Sequence, residues 1–156
     1  MTRRTRYLAM IVVVLGILSV VMGAGFIALA AQKNDYVVSG LRQQEVTLGL
    51  SEEQIANGEV VDNAQEAQVA AETLSNHLEK IAGGTYGDLM AASKTGRYDP
   101  TDPKQLTYTQ GLNMENSLNL VVLGFGVIQQ TMAVGAALIV IGIAVGATGT
   151  TLFRLG

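Results

Sequence analysis

The chain has no cysteine and no tryptophan, and it has one histidine (His77) and two prolines (Pro100 and Pro103) among 156 residues. Without cysteine there can be no disulfide, thiolate metal site or cysteine nucleophile. A single histidine rules out a multi-histidine zinc or iron centre built from one chain. Charge is missing just as selectively: Tyr7–Ala31 and Ser117–Phe153 run 25 and 37 residues without Asp, Glu, Lys, Arg or His. No phosphate-binding glycine loop, nucleophile elbow or zinc-protease motif occurs.

What is present is apolar length, and the mean hydropathy of +0.33 comes from the two uncharged runs. As a helix, Tyr7–Ala31 would extend about 37 Å, enough to cross a hydrocarbon core of about 30 Å with some tilt. It is read as transmembrane helix 1 (7–31). It also resembles a secretory signal, with basic residues before it and Ala28-Leu-Ala30 as a cleavage-like site. Its length exceeds the roughly 7–15 apolar residues of such signals, so an uncleaved anchor is expected. The second run would reach roughly 55 Å and cannot all lie in lipid. Asn119, Gln129 and Gln130 divide it into an apolar approach (117–130) and transmembrane helix 2 (131–153), and Gly124 and Gly126 are places for a kink.

Small residues mark the faces on which these helices would pack, since close backbone approach drives association in lipid. In the first run the candidates are Ser19 and Gly23; in the second they are Gly142, Gly146 and Thr150, spaced by four. Gly135, Ala136 and Ala137 add further small groups.

The net charge of −3 is unevenly distributed. Residues 33–116 hold six basic and all thirteen acidic residues, net −7, whereas Arg3, Arg4, Arg6 and Arg154 flank the apolar runs. Positive flanks mark the cytoplasmic side, so residues 1–6 and 154–156 are expected there and the acidic segment 32–116 outside. An acidic head also argues against a nucleic-acid partner.

The acidic segment reads as mainly helical. Lys33–Glu45 continues the first span outward, with Gly40 its main breaker. Val46–Leu50 is an extended connector or weak strand. Ser51 and Gln54 form a capping box for a helix stopped by Asn57-Gly58. Asp62 is read as the cap of a longer helix whose apolar stripe is Ala67, Ala70, Ala71, Leu74, Leu78 and Ile81, ending at Gly83-Gly84. Thr85–Ser93 holds another short helix. A turn-rich loop, Lys94–Pro103, follows, and Thr107 with Gln110 offers the next helix start.

Candidate chemistry in this head is sparse. His77, one heptad after Ala70, is expected near the apolar stripe in a structural role. Asp99 and Asp102 are the pair that would join other oxygens around Ca²⁺, although Asp before Pro is also ordinary turn chemistry. No catalytic, cofactor-binding or metal-ligating residue is assigned, and an enzyme is not expected.

Val46–Gly58, Gly96–Pro103 and Leu123-Gly-Phe-Gly126 resemble segments of a family of small, uncharacterised bacterial two-span membrane proteins. Some of its members carry a label as aromatic-ring-opening dioxygenases. That label implies a metal-dependent soluble enzyme, which one histidine and two apolar runs do not fit, so no functional residue is carried over. The expectation is an all-α, multi-pass protein of the bacterial cytoplasmic membrane, with two antiparallel transmembrane helices and a small extracytoplasmic helical head. Its expected partners are the lipid bilayer and other membrane subunits or further copies of itself, with an accessory or scaffold role. The alternative is a sensor whose head binds a cationic ligand or Ca²⁺.

Overall fold

A computed structural model describes residues 3–93 and 96–154. Met1, Thr2, Leu155 and Gly156, at the two expected cytoplasmic ends, lie outside the described residues, as do Lys94 and Thr95 of the turn-rich loop. Every described element is an α-helix: α1 Arg3–Gln43, α2 Glu52–Ala56, α3 Ala64–Ala82, α4 Tyr86–Ala91 and α5 Pro103–Arg154. α1 and α5 are long and apolar enough to cross a membrane. The chain divides into two compact units, one comprising the chain up to Asp35 with the chain from Val127 onward, the other Tyr36–Gly126.

α5 has 52 residues, about 78 Å at 1.5 Å per residue, more than twice a hydrocarbon core. It remains α-helical through Gly124 and Gly126, and α1 likewise passes through Gly40. A single helical glycine costs only about 1 kcal/mol relative to alanine, which flanking turns outweigh. α1 stops where Glu45 turns left-handed, at φ 48°.

In the Tyr36–Gly126 unit, local chemistry sets the ends of the short helices. The Ser51–Gln54 capping box forms in both directions, and α2 ends at Asn57. Val46–Leu50 forms turns and not a strand, and the Val46 carbonyl accepts a long-range backbone bond from Val61 N–H at 2.8 Å. The cap of α3 is Asn63, not Asp62: Asn63 Oδ1 accepts from Glu66 N–H at 3.0 Å, while the Glu66 carboxylate accepts from Asp62 N–H at 3.1 Å. α3 closes on Gly83 in the left-handed conformation, φ 80°, which glycine adopts without penalty. α5 starts at Pro103 and not at Thr107. Asp102 Oδ1 accepts from Lys104 N–H at 2.9 Å, and proline fits the first helical position because it has no amide hydrogen to leave unpaired there.

The stripe on α3 buries Ala67, Ala70, Ala71 and Leu78; Leu74 is half-buried and Ile81 is exposed. Leu78 joins Leu89 of α4 and Tyr108 of α5 in the core, with Leu74, Ala82, Met90 and Leu112 against it. At the α3–α5 contact, a Cβ on Gly111 would overlap the end of the Leu78 side chain, which would have to shift to admit it.

α4 begins with a second capping box, Thr85 N–H and Oγ1–H both donating to Asp88 Oδ2 at 2.9 and 2.8 Å. The Thr85 hydroxyl and then its amide hold the Asp88 carboxyl below its ordinary value of 3.8. Because the folded-state value is depressed, the stabilisation is present above that ordinary value and lost as pH falls through the lower folded one. Acidification below about 3.8 is therefore expected to release the first turn of α4. The measurement is carboxyl NMR titration of Asp88 alongside near-ultraviolet circular dichroism. An Asp88 resonance titrating at the ordinary value would contradict the cap.

Candidate helix-packing seam

Within the first unit, α1 and α5 meet through backbone. A Cβ built on Gly16 would lie 2.6 Å from Gly146 N and 2.7 Å from the Gly142 oxygen. One on Gly23 would lie 2.5 Å from the Gly135 oxygen and 2.8 Å from Ile139 Cγ1. From the other side, a Cβ on Gly142 would meet the Gly16 oxygen at 2.7 Å, and one on Gly149 would meet Val13 Cγ2 at 2.8 Å and the Ala9 oxygen at 3.1 Å. Real Cβ contacts do not come this close, so only glycine permits this spacing.

The facing residues follow one rule. Ala9, Gly16 and Gly23 meet Gly149, Gly142 and Gly135, seven residues apart on each helix. The next members of the two series, Ala30 and Ile128, are also buried. A seven-residue repeat keeps one face of an α-helix turned toward its partner, with a slight left-handed winding. In lipid, close backbone approach of this kind takes the place that hydrophobic burial has in water. The Ser19 hydroxyl adds a polar tie, donating to the Leu138 carbonyl at 2.9 Å across the seam.

The residues singled out from the sequence divide unevenly. Ser19, Gly23 and Gly142 face the opposite helix. Gly146 presents its backbone to Gly16, but its own Cβ would have no atom within 4 Å. Thr150 is exposed at the edge of the groove that Val13 and Gly16 of α1 line with Gly142 and Gly146 of α5, and its hydroxyl donates to the Ala147 carbonyl of its own helix at 2.7 Å. Gly16, Gly149 and Ala9, and Gly135 beyond being a small residue, carry no mark in the four-residue pattern of either run. The available signal was the seven-residue spacing shared by both runs, not the four-residue spacing within one.

No protein-family model, curated protein or solved structure matches this chain. The functional reading therefore rests on the chain itself.

The head places its candidate residues apart from one another. His77 is exposed, beside and not on the buried stripe, because Leu74 and Leu78 occupy that face of α3. Asp99 Oδ1 accepts from the Thr101 amide and hydroxyl at 2.9 and 2.6 Å, which holds its carboxyl below the ordinary range. Asp102 caps α5. Gln105, 1% exposed, ties this loop down by accepting from Asp99 N–H at 2.7 Å. The carboxylate pair thus performs turn and cap chemistry. Among the described residues, no group of three His, Cys, Asp or Glu side chains is placed to hold a metal ion.

Proposed function

We propose that this chain is a small integral membrane protein with two antiparallel spans and an acidic extracytoplasmic head, acting as an accessory or scaffold subunit. The observation that carries the reading is the glycine seam. It gives two uncharged helices a backbone-to-backbone contact, the kind of association that suits lipid. Falling residue numbers on α5 face rising ones on α1, from Ala9–Gly149 to Gly23–Gly135, which supports the antiparallel arrangement.

The same register brings Arg6 and Arg154 to one end of the pair, with Arg3 and Arg4 just before Arg6 in the chain. Positive charge at one end and a head of net −7 following the other end support cytoplasmic termini in a bacterial membrane. The register also sets Gln129 and Gln130 level with Leu29 and Ala28, just before Gln32 ends the apolar run of α1. About 22 residues of each helix then lie between the polar ends, close to the roughly 20 that a hydrocarbon core needs. A rigid, lipid-embedded hairpin carrying a charged head is a mechanical device, suited to holding partners together.

Two measurements on the full chain test this. A cysteine introduced at Asp88 is expected to react with an impermeant thiol reagent on intact cells; labelling only after lysis would reverse the orientation. Native mass spectrometry after gentle extraction is expected to give a complex of fixed mass, with other subunits or further copies. A partnerless monomer would refute the scaffold role.

A further inference from the structure

We propose that Asn57 is a self-modification site: the Gly58 amide nitrogen attacks the Asn57 side chain, and the ring that forms opens to aspartate or isoaspartate. The inference concerns α2 and the turn after it, and it stands apart from the membrane reading. Of the seven asparagines in the chain, only Asn57 precedes a glycine. Glycine in that place obstructs ring closure least, because it has no Cβ and its backbone reaches conformations closed to other residues.

The fold sets this pair apart from the other asparagines. Asn34, Asn76, Asn113, Asn116 and Asn119 lie inside helices, where the following amide is held by the helix ladder. Asn63 caps α3, its side chain accepting from Glu66 N–H and donating to Asp62 Oδ1. Asn57 closes the five-residue α2, which buries no side chain, and both Asn57 and Gly58 are exposed. Gly58 N–H donates to the Ile55 oxygen and Glu59 N–H to the Gln54 oxygen, each at 3.0 Å, with Gly58 left-handed at φ 75°. These are the two bonds of a Schellman turn, and they act as the brake. Ring closure requires Gly58 N to leave Ile55 and Asn57 to turn about its Cα–C bond from the observed ψ of 0°. A helix this short, with no buried anchor, opens at low cost, so the opening of α2 sets the rate.

Hydroxide removes the Gly58 amide proton, the nitrogen bonds to Asn57 Cγ, and Nδ2 leaves as ammonia. Water then breaks one of the two C–N bonds in the ring. Breaking the bond to Cγ gives aspartate; breaking the bond to the main-chain carbonyl gives isoaspartate, whose main chain runs through Cγ and is one carbon longer. Nothing is oxidised or reduced, and water is the only co-reactant. Gly58 lines a recess of about 710 Å³ with Glu45, Glu59, Asp62, Glu66 and Arg42, and Glu52 and Glu53 occupy the first turn of α2. The excess of carboxylates repels hydroxide, so added salt should speed the step by screening. The product adds a negative charge at the C-terminal end of α2, where the helix dipole disfavours it. In the isoaspartate form the longer main chain also moves Gly58 and Glu59 off the Ile55 and Gln54 oxygens. The turn then no longer closes, two residues before the bond that ties Val61 to Val46.

The test is to incubate the full chain in mild micelles at neutral and at mildly alkaline pH, then map its peptides by mass spectrometry. Isoaspartyl methyltransferase labelling reports the isoaspartate product. Conversion is expected to be faster at Asn57 than at any other asparagine, to yield isoaspartate, and to accelerate as pH rises. Asn57→Gln should remove the label, because closure there would need a six-membered ring. Ser51→Ala removes the capping box at the other end of α2 and should speed conversion about fivefold, the change in an equilibrium constant on losing a typical N-cap. Conversion at Asn57 no faster than elsewhere, aspartate without isoaspartate, or a label that persists in Asn57→Gln would overturn the modification site. Equal rates in Ser51→Ala and the parent would overturn its control by the opening of α2.

Discussion

Gly16→Val and Gly142→Val are expected to separate the two long helices, while Gly146→Ala and Gly25→Ala leave them packed. The contrast follows from what each added carbon would meet. At Gly142 it meets the Gly16 oxygen and Val20 N at 2.7 and 2.9 Å, and at Gly16 it meets Gly146 N at 2.6 Å. These are backbone atoms, which cannot rotate away, so the helices must move apart and lose the contacts of the whole seam. Overpacking by a small side chain costs about 1–3 kcal/mol in a well-packed interior, and a β-branched one costs more. At Gly146 and Gly25 the added carbon meets nothing within 4 Å. Alanine there removes the helix penalty of glycine, so the change is neutral or stabilising by up to about 1 kcal/mol.

Helix content would not report the difference, because an α-helix in lipid satisfies its own backbone hydrogen bonds. The suitable readout is energy transfer between dyes on cysteines introduced at Arg6 and Arg154, followed through a titration of mild micelles with dodecyl sulfate. The seam variants are expected to lose transfer at much lower dodecyl sulfate than the parent. Gly146→Ala is expected to match or exceed the parent. If Gly146→Ala were as damaging as Gly142→Val, the four-residue pattern Gly142–Gly146–Thr150 would be the packing face and the heptad seam would be wrong.

That test isolates the point where reading the sequence and reading the structure diverge. Apolar length, the acidic middle and most short helix ends were legible because each depends on residues within a few positions. Ser51 meets Gln54 three residues on, and Gly83 ends its helix by its own conformation. Where two local signals competed, the choice was not legible. Asp62 and Asn63 are both good caps, and the outcome depended on Glu66 reaching back to the Asp62 amide. Thr107 offered a helix start, but Asp102-Pro103 supplied both a cap and a preset backbone angle earlier in the chain. The seam was hardest to see because Gly16 and Gly142 are far apart in the chain. A four-residue glycine pattern within one run competes with the seven-residue spacing, which appears only when both runs are compared. His77 lies beside the stripe, as its position one heptad after Ala70 suggests, but it is exposed because Leu78 takes the buried position.

The second large effect lies in the head, where Leu78→Ala is expected to cost about 2–5 kcal/mol, the usual range for truncating a buried leucine. Leu78 is 3% exposed and joins α3 to Leu89 of α4 and Tyr108 of α5. The core around it is small, and a loss of that size is a large part of the roughly 5–15 kcal/mol that holds an ordinary domain together. Gly111→Ala attacks the same contact from the other helix, since its added carbon would strike the Leu78 side chain. Here the obstacle is a side chain, so the two substitutions should be coupled. With alanine at 78, the methyl groups that block a Cβ at 111 are gone, and the double variant should be more stable than the summed single losses imply, by about 0.5–3 kcal/mol. The chain has no tryptophan, and the ring of Tyr108, within this core, has its centroid 5.9 Å from that of Tyr86, so near-ultraviolet circular dichroism of tyrosine follows its packing. Denaturant titrations of the parent, the two single variants and the double variant complete the cycle. Additive losses would mean that Gly111 and Leu78 do not touch, and the α3–α5 contact at the centre of the head would have to be redrawn.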